Sequence, residues 1–297
     1  HWIAKRVPDD SYVIMPNQFG LDNFDLEDAF GAQKNHMCSK DLKEFIADNH
    51  LDLNMDGKCN PRLIFGSHDD SDHVYNTPRS WFMARYFNPR TYKWDGPDAD
   101  FTPESDDIPW SLVPEHKITV EEVKYILSSY YQGTPYNPYS NQDTGKKGVY
   151  RPIGIGRTGC MAILQIRGYM PDAIKAIEWM CFGPNSFNAA LPVYTNVAKM
   201  PDYLSKVTLD ATTDNFYWQS RYIAALADPF FATAIQMVER YQKAIANKGH
   251  ELINVYDKKF KETGDLKVLD EANKKLCVEA NAISQQTLNQ LILNASK

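Results

Sequence analysis

The sequence predicts an α+β or layered αββα fold with a helical C-terminal region. Between residues 148 and 197, short apolar runs bounded by Gly and Pro read as strands at 149–155, 160–166 and 188–194. Beyond residue 214, apolar residues recur at helical spacing instead. A strand region followed by helices is the α+β pattern. We therefore expect residues 1–213 to form the sheet-bearing domain, with long excursions, and residues 214–297 to form a helical region packed on it.

Residues 2–6 and 11–15 read as two short strands joined by Val7-Pro8-Asp9-Asp10, a cluster suited to a tight turn. Pro16-Asn17-Gln18 then leaves the strand for acidic loops. Ser39 is placed to cap a short helix running to residue 46. Residues 51–115 are rich in Asp, Pro and Asn, and only 80–87 is amphipathic. Such a stretch wraps a core as surface excursions and carries functional residues. Thr119-Val120-Glu121-Glu122 is a capping box, followed by Val120, Val123, Ile126 and Leu127 at helical spacing. Pro171 suits a first helical turn, while 177–182 suits strand and helix equally. Helices are expected at 216–227, 230–246, 251–261 and 265–293, the first broken off by Asp228-Pro229.

A net charge of -6 without any run of Lys and Arg provides no basic face for nucleic acid or anionic lipid. Nothing approaches the roughly 18 consecutive apolar residues of a membrane span. Cys38, Cys59, Cys160, Cys181 and Cys277 are odd in number, scattered and without a CxxC pair, which indicates a reducing, cytoplasmic setting. The chain opens His1-Trp2-Ile3-Ala4-Lys5-Arg6, which reads as the interior of a strand. It is therefore expected to be cut from something longer, and its sandwich to be incomplete.

Several motifs suggest chemistry and fall short. Asp52-Leu53-Asn54-Met55-Asp56-Gly57 matches half a calcium loop, but its twelfth position is Leu63 and Pro61 disturbs it, so Asx turns are the better reading. Gly154-Ile155-Gly156-Arg157-Thr158-Gly159 resembles a phosphatase loop but has Arg151 where the thiolate belongs; the glycines are expected to serve a tight connection between strands. His68 to His73 mixes His and Asp, yet such acidic clusters are usually solvated.

A set of segments in one order carries a resemblance: the stretch from His1 to Asp10, Pro16-Asn17-Gln18, Leu53-Asn54-Met55-Asp56-Gly57 and Tyr75-Asn76-Thr77-Pro78-Arg79. It continues through Arg151-Pro152-Ile153, Arg157-Thr158, Phe182-Gly183-Pro184-Asn185-Ser186 and Leu191-Pro192-Val193-Tyr194. The set resembles the C-terminal portion of the bacterial dipeptidase A family, relatives of penicillin V acylase and bile salt hydrolase among the N-terminal-nucleophile hydrolases. The resemblance implies an αββα sandwich, with residues 1–213 part of its catalytic domain, and hydrolysis of dipeptides by an N-terminal Cys whose own amine is the general base. It implies neither a metal nor an organic cofactor.

Position 1 is His, so the resemblance places the nucleophile in a missing N-terminal portion and leaves this chain inactive alone. Asn17 matches the family's oxyanion-site Asn, and Arg79 the Arg that stands near the thiol. A dipeptide's ammonium and carboxylate call for an acidic and a basic group, for which Asp69, Asp70 and Asp72, and Arg151 and Arg157, are the candidates. Homo-oligomers are expected from the relatives. The competing readings are a non-catalytic binding or regulatory module on the same fold, and a glycan-processing or glycan-binding protein suggested by 6 Trp and 17 Tyr.

Overall fold

Strand β1 (Ile3–Lys5) does not fold back on β2 (Tyr12–Val13); it pairs antiparallel with β3 (His36–Cys38), Ile3 facing Cys38 and Lys5 facing His36. The structure, a computed structural model, describes residues 1–297 except Met55 and His68. The reason for this pairing lies in helix α1 (Leu26–Phe30). The Asp28 carboxylate accepts the backbone N–H groups of Lys34 (2.8 Å), Asn35 (2.8 Å) and His36 (2.9 Å) and lies 3.0 Å from His36 Nδ1. It thereby presents β3 as the partner for β1, and Arg6 N–H extends the ladder to Asn35 O at 2.7 Å. The turn at Pro8 forms (Ser11 N–H to Pro8 O, 3.1 Å) but sends the chain into a second ladder, β2 with β4 (Ser111–Leu112).

Ser39 also acts differently from expectation. Its Oγ accepts Trp2 N–H at 2.8 Å, tying down the start of β1, and helix α2 (Leu42–Asp48) begins three residues later. Helix α3 (Pro61–Phe65) has Asn60 as its cap and Pro at its first position. Helices α4 (Asp72–Tyr75) and α5 (Thr77–Phe87) follow, α5 burying Trp81, Phe82, Ala84 and Phe87. Phe24, Ala29, Cys38, Leu42, Cys59 and Ile64 form a small core. At 52–57 the Asx turns are present, Asn54 N–H on Asp52 Oδ1 (3.3 Å) and Lys58 N–H on Asp56 Oδ1 (2.9 Å), with Met55 outside the described residues.

These elements belong to one compact unit, residues 1–118 with 148–152; a second unit holds 119–147 and 153–297. The boundary expected at residue 213 therefore falls inside the second unit. Each unit combines helices with small antiparallel sheets, so the α+β class holds. No helix among the described residues is long and apolar enough to cross a membrane.

The second unit opens with α6 (Val120–Leu127), whose capping box is complete: Glu122 N–H on Thr119 Oγ1 (3.2 Å) and Thr119 N–H on Glu122 Oε2 (2.8 Å). Its sheet runs β5 (Cys160–Ile166), β6 (Ala176–Phe182), β7 (Leu191–Tyr194), all antiparallel. The strand expected at 149–155 is absent. Gly154 N–H bonds Ser129 O at 2.8 Å, and a Cβ there would come within 2.5 Å of Ser128 O, so this glycine serves close backbone packing.

Helices α7 (Asp202–Ser205), α8 (Phe216–Ala227), α9 (Phe231–Thr263) and α10 (Lys267–Ala295) complete the unit. Two helices expected between 230 and 261 are one, running through Asn247-Lys248-Gly249-His250. Glycine costs a helix interior about 1 kcal/mol relative to Ala. Here Gly249 is buried where α9 crosses β7, and a Cβ would lie 2.6 Å from Pro192 Cγ. Close packing thus overrides propensity. Trp179, Leu191, Val238, Ile245 and Leu269 centre the core. Beyond β5, buried Arg167 forms a two-pronged pair with buried Asp257 on α9, whose Oδ1 also accepts from Tyr194 Oη at 2.8 Å.

Removing one member strands the other charge in the interior, so Asp257→Ala is expected to lower unfolding free energy by about 3–5 kcal/mol in chemical denaturation. A loss below about 1 kcal/mol would show that the pair contributes little. Backbone N–H donors, led by Asn35, hold the Asp28 carboxyl down to about 2; Arg90, with the N–H groups of Arg90 and Thr91, does the same for Glu115. Both carboxyls are lowered on folding, so their stabilisation is complete above the ordinary carboxylate range. It is lost as pH falls from about 4.5 towards about 2. Asp28→Asn and Glu115→Gln are expected to flatten that acid limb in a pH series of unfolding curves.

Candidate active site

The first unit brings together Asn17 and Arg79 from segments far apart in sequence. After β2, Ile14 N–H continues the ladder to Trp110 O at 2.8 Å. Pro16 then has no N–H to offer. Gln18 N–H turns back on Pro16 O (2.8 Å), leaving Asn17 on an exposed bend. Gly20 completes the loop against Trp110, whose Cβ stands 3.2 Å from where a Cβ on the glycine would sit.

Arg79 lies in the first turn of α5, a helix started by Pro78 and anchored by Trp81 and Phe82. Its Nε donates to Tyr75 O, and its Nη2 donates to Asn76 Oδ1 (2.6 Å) and Asn17 Oδ1 (3.0 Å). Asn76 is the residue before α5, but its side chain does not cap the helix. Instead Nδ2 donates to Asp72 Oδ1 and to Asn17 O (3.3 Å). The second oxygen of Asp72 accepts from Ser67 Oγ, and Thr77 Oγ1 donates to Asp72 O at 3.2 Å. Asp72, Asn76 and Thr77 are buried. A polar chain thus runs Ser67–Asp72–Asn76–Arg79–Asn17, rooted inside and ending in solvent.

That order fixes the orientation of the last amide. A guanidinium only donates, so Asn17 must turn Oδ1 towards Arg79, and its Nδ2 points away. Among the described residues nothing accepts from Nδ2. Asn17 therefore offers an N–H donor backed by a guanidinium, an arrangement suited to receiving an anion. Beside it lies an apolar groove lined by Val13, Met15, Phe19, Phe65 and Trp110.

The other candidates are placed differently. Asp69 accepts from the hydroxyl and N–H of Ser71, which hold its carboxyl below the usual range. Asp70 is exposed on the same loop, and Asp72 is the buried anchor of the chain. Arg151 stands over the Tyr75 ring (5.7 Å to its centre) and donates its backbone N–H to Val74 O. Arg157 is exposed in a turn of the second unit. His68 lies outside the described residues; His73 pairs with Asp106 at 3.0 Å, a hydrogen bond that raises its pKa. Burial pushes the thiols of Cys59 and Cys181 up to about 11 and Cys277 up to about 12, and raises Cys38. These four are held as thiols, poor nucleophiles.

Asn76 is the member that sequence reading missed. It stands within Tyr75-Asn76-Thr77-Pro78-Arg79, and only its burial and its bonds to Asp72 and Arg79 reveal its role. Asn76→Ala would leave the Asp72 carboxylate one donor short, and is expected to cost about 1–3 kcal/mol of stability in denaturant titration.

A protein-family model described as Peptidase family C69 matches residues 1–244. The chain is 54% identical over 267 residues to a protein named Dipeptidase from Bifidobacterium longum, covering 89% of this chain and 50% of that protein. It is 42% identical over 298 residues to Probable dipeptidase A of Streptococcus pyogenes serotype M3, covering 100% and 61%. With Dipeptidase A of Lactobacillus helveticus the identity is 34% over 296 residues, covering 98% and 60%. The chain thus spans between 50% and 61% of the length of these relatives.

Proposed function

The chain belongs to peptidase family C69, and from that premise we propose that it carries one side of the active site of a dipeptidase, whose nucleophile lies outside these 297 residues. The nucleophile is a Cys at a processed N-terminus within an αββα sandwich. Its own α-amine, with an ordinary pKa near ~8, takes the thiol proton as sulfur attacks the peptide carbonyl. The same amine then hands that proton to the leaving amino group, and water releases the acyl group from sulfur.

In this reading Asn17 Nδ2 donates to the carbonyl oxygen as it becomes negative. Arg79 positions Asn17 and brings positive charge that favours the thiolate. Asp72 acts through Asn76 by holding Arg79 in place. The supporting observation is the 3.0 Å hydrogen bond from Arg79 Nη2 to Asn17 Oδ1, which leaves the Asn17 N–H without an acceptor among the described residues. For the substrate ends, Asp70 is the candidate for the ammonium and Arg151 for the carboxylate; Asp69 and Arg157 rest on their chemistry alone. Thiol chemistry of this kind belongs in a reducing cytoplasm.

In the full-length protein, Asn17→Ala is expected to lower kcat for dipeptides about 100–1000-fold, with little change in KM, because the lost donor acts in the transition state. The 297-residue chain alone is expected to cleave no dipeptide, and to do so once joined to an upstream segment that starts with Cys. Activity of Asn17→Ala within a few-fold of the parent removes Asn17 from the oxyanion site. Activity of the chain alone removes the external nucleophile.

A further inference from the structure

The second unit holds a cavity of about 200 Å³ that peptide cleavage as described above does not use. Its walls are mostly apolar, formed by Val120 and Tyr125 on α6, Trp179 on β6, and Ile235 and Ala246 on α9. A space of roughly 150 Å³ is enough for a benzene ring. Into this space α6 places Lys124.

The Lys124 side chain is half-buried, and the partners of its ammonium are neutral: Ser128 Oγ at 2.5 Å and the Asn185 carbonyl at 2.8 Å. An ammonium has three N–H donors, so one remains. Among the described residues no carboxylate pairs with it. The acid next to it in the lining, Glu121, pairs with His250. This contrasts with buried Arg167, which has Asp257. A cation taken out of water without a counter-charge is costly, and buried charges are ordinarily paired. The cost is visible here: burial pushes Lys124 down to about 8, against a weaker opposite influence from the Cys181 thiol.

We propose that this cavity binds a small monocarboxylate with an apolar body, such as an arylalkanoate, its carboxylate seated on Lys124 and its body against Trp179 and Ile235. The anion supplies the charge that the protein leaves out, and the walls supply apolar contact of the right size. The titratable groups around the ammonium are Glu121 and Tyr125 on α6, Tyr130 after it, Cys181 on β6, and Glu239 and Lys243 on α9. Tyr130 and Cys181 are themselves pushed up, to about 12 and about 11.

The test uses phenylacetate with the purified protein, followed by calorimetry or ligand-observed NMR, with phenethylamine as the probe of equal body and opposite charge. Phenylacetate is expected to bind at millimolar concentration at pH 7 and phenethylamine not to bind. Binding requires the charged ammonium, so affinity is expected to fall about tenfold from pH 7 to pH 9, with proton uptake on binding. Lys124→Met is expected to weaken binding at least about tenfold, and Ala246→Phe to block it by filling the wall while sparing the charge. No phenylacetate binding at pH 7, equal binding of phenethylamine, or an affinity independent of pH overturns the proposal. None of these three needs a variant, so they stand even where Lys124→Met fails to fold.

Discussion

The hydrogen bond from Arg79 to Asn17 spans 62 residues of sequence and organises the first unit's polar interior. Its strength comes from what stands behind it. Asp72 is a buried carboxylate, tolerable only while donors satisfy both oxygens, and Ser67 and Asn76 do so. An amide both donates and accepts, so Asn76 can serve Asp72 with its nitrogen and Arg79 with its oxygen. The carboxylate is thereby kept one residue away from the guanidinium, joined to it through a neutral group.

The second unit obeys the same constraint in two opposite ways. Arg167 and Asp257 neutralise each other between the end of β5 and α9, with Tyr194 donating a further hydrogen bond to Asp257. Lys124, half-buried in the same unit, stands against a hydroxyl and a carbonyl. One cation is a structural tie; the other has solvation but no counter-charge. Trp179 in β6 donates its Nε1–H to Gln165, and its ring lies under the stretch of α9 where Gly249 allows close approach.

Local signals were legible where the physics is local. The capping box at Thr119, the strand Cys160–Ile166 and the helix Phe216–Ala227 depend on neighbours within a few residues, and each was placed at its observed position. The hairpin expected from residues 2–15 did not form, since its turn was read correctly but its partner strand was not. Which strand pairs with β1 is decided by Asp28, a carboxylate more than twenty residues on. Likewise, Gly249 reads as a helix break, and only the Pro192 ring beneath it explains why the helix continues. The motifs around Asn17 and Arg79 singled out two residues that the fold joins by a hydrogen bond, whereas no local signal marked Asn76.

The sequence by itself determined the α+β class, most helix positions, the membership of peptidase family C69 and the two polar residues that now face each other. These follow from composition, spacing and short ordered motifs, all properties of residues close along the chain. Tertiary structure alone decided strand partners, the course of α9, which way the Asn17 amide points, and which cation has a carboxylate. Each of those depends on desolvation, whose penalty is set by what surrounds a group in space and is unmarked in the order of residues.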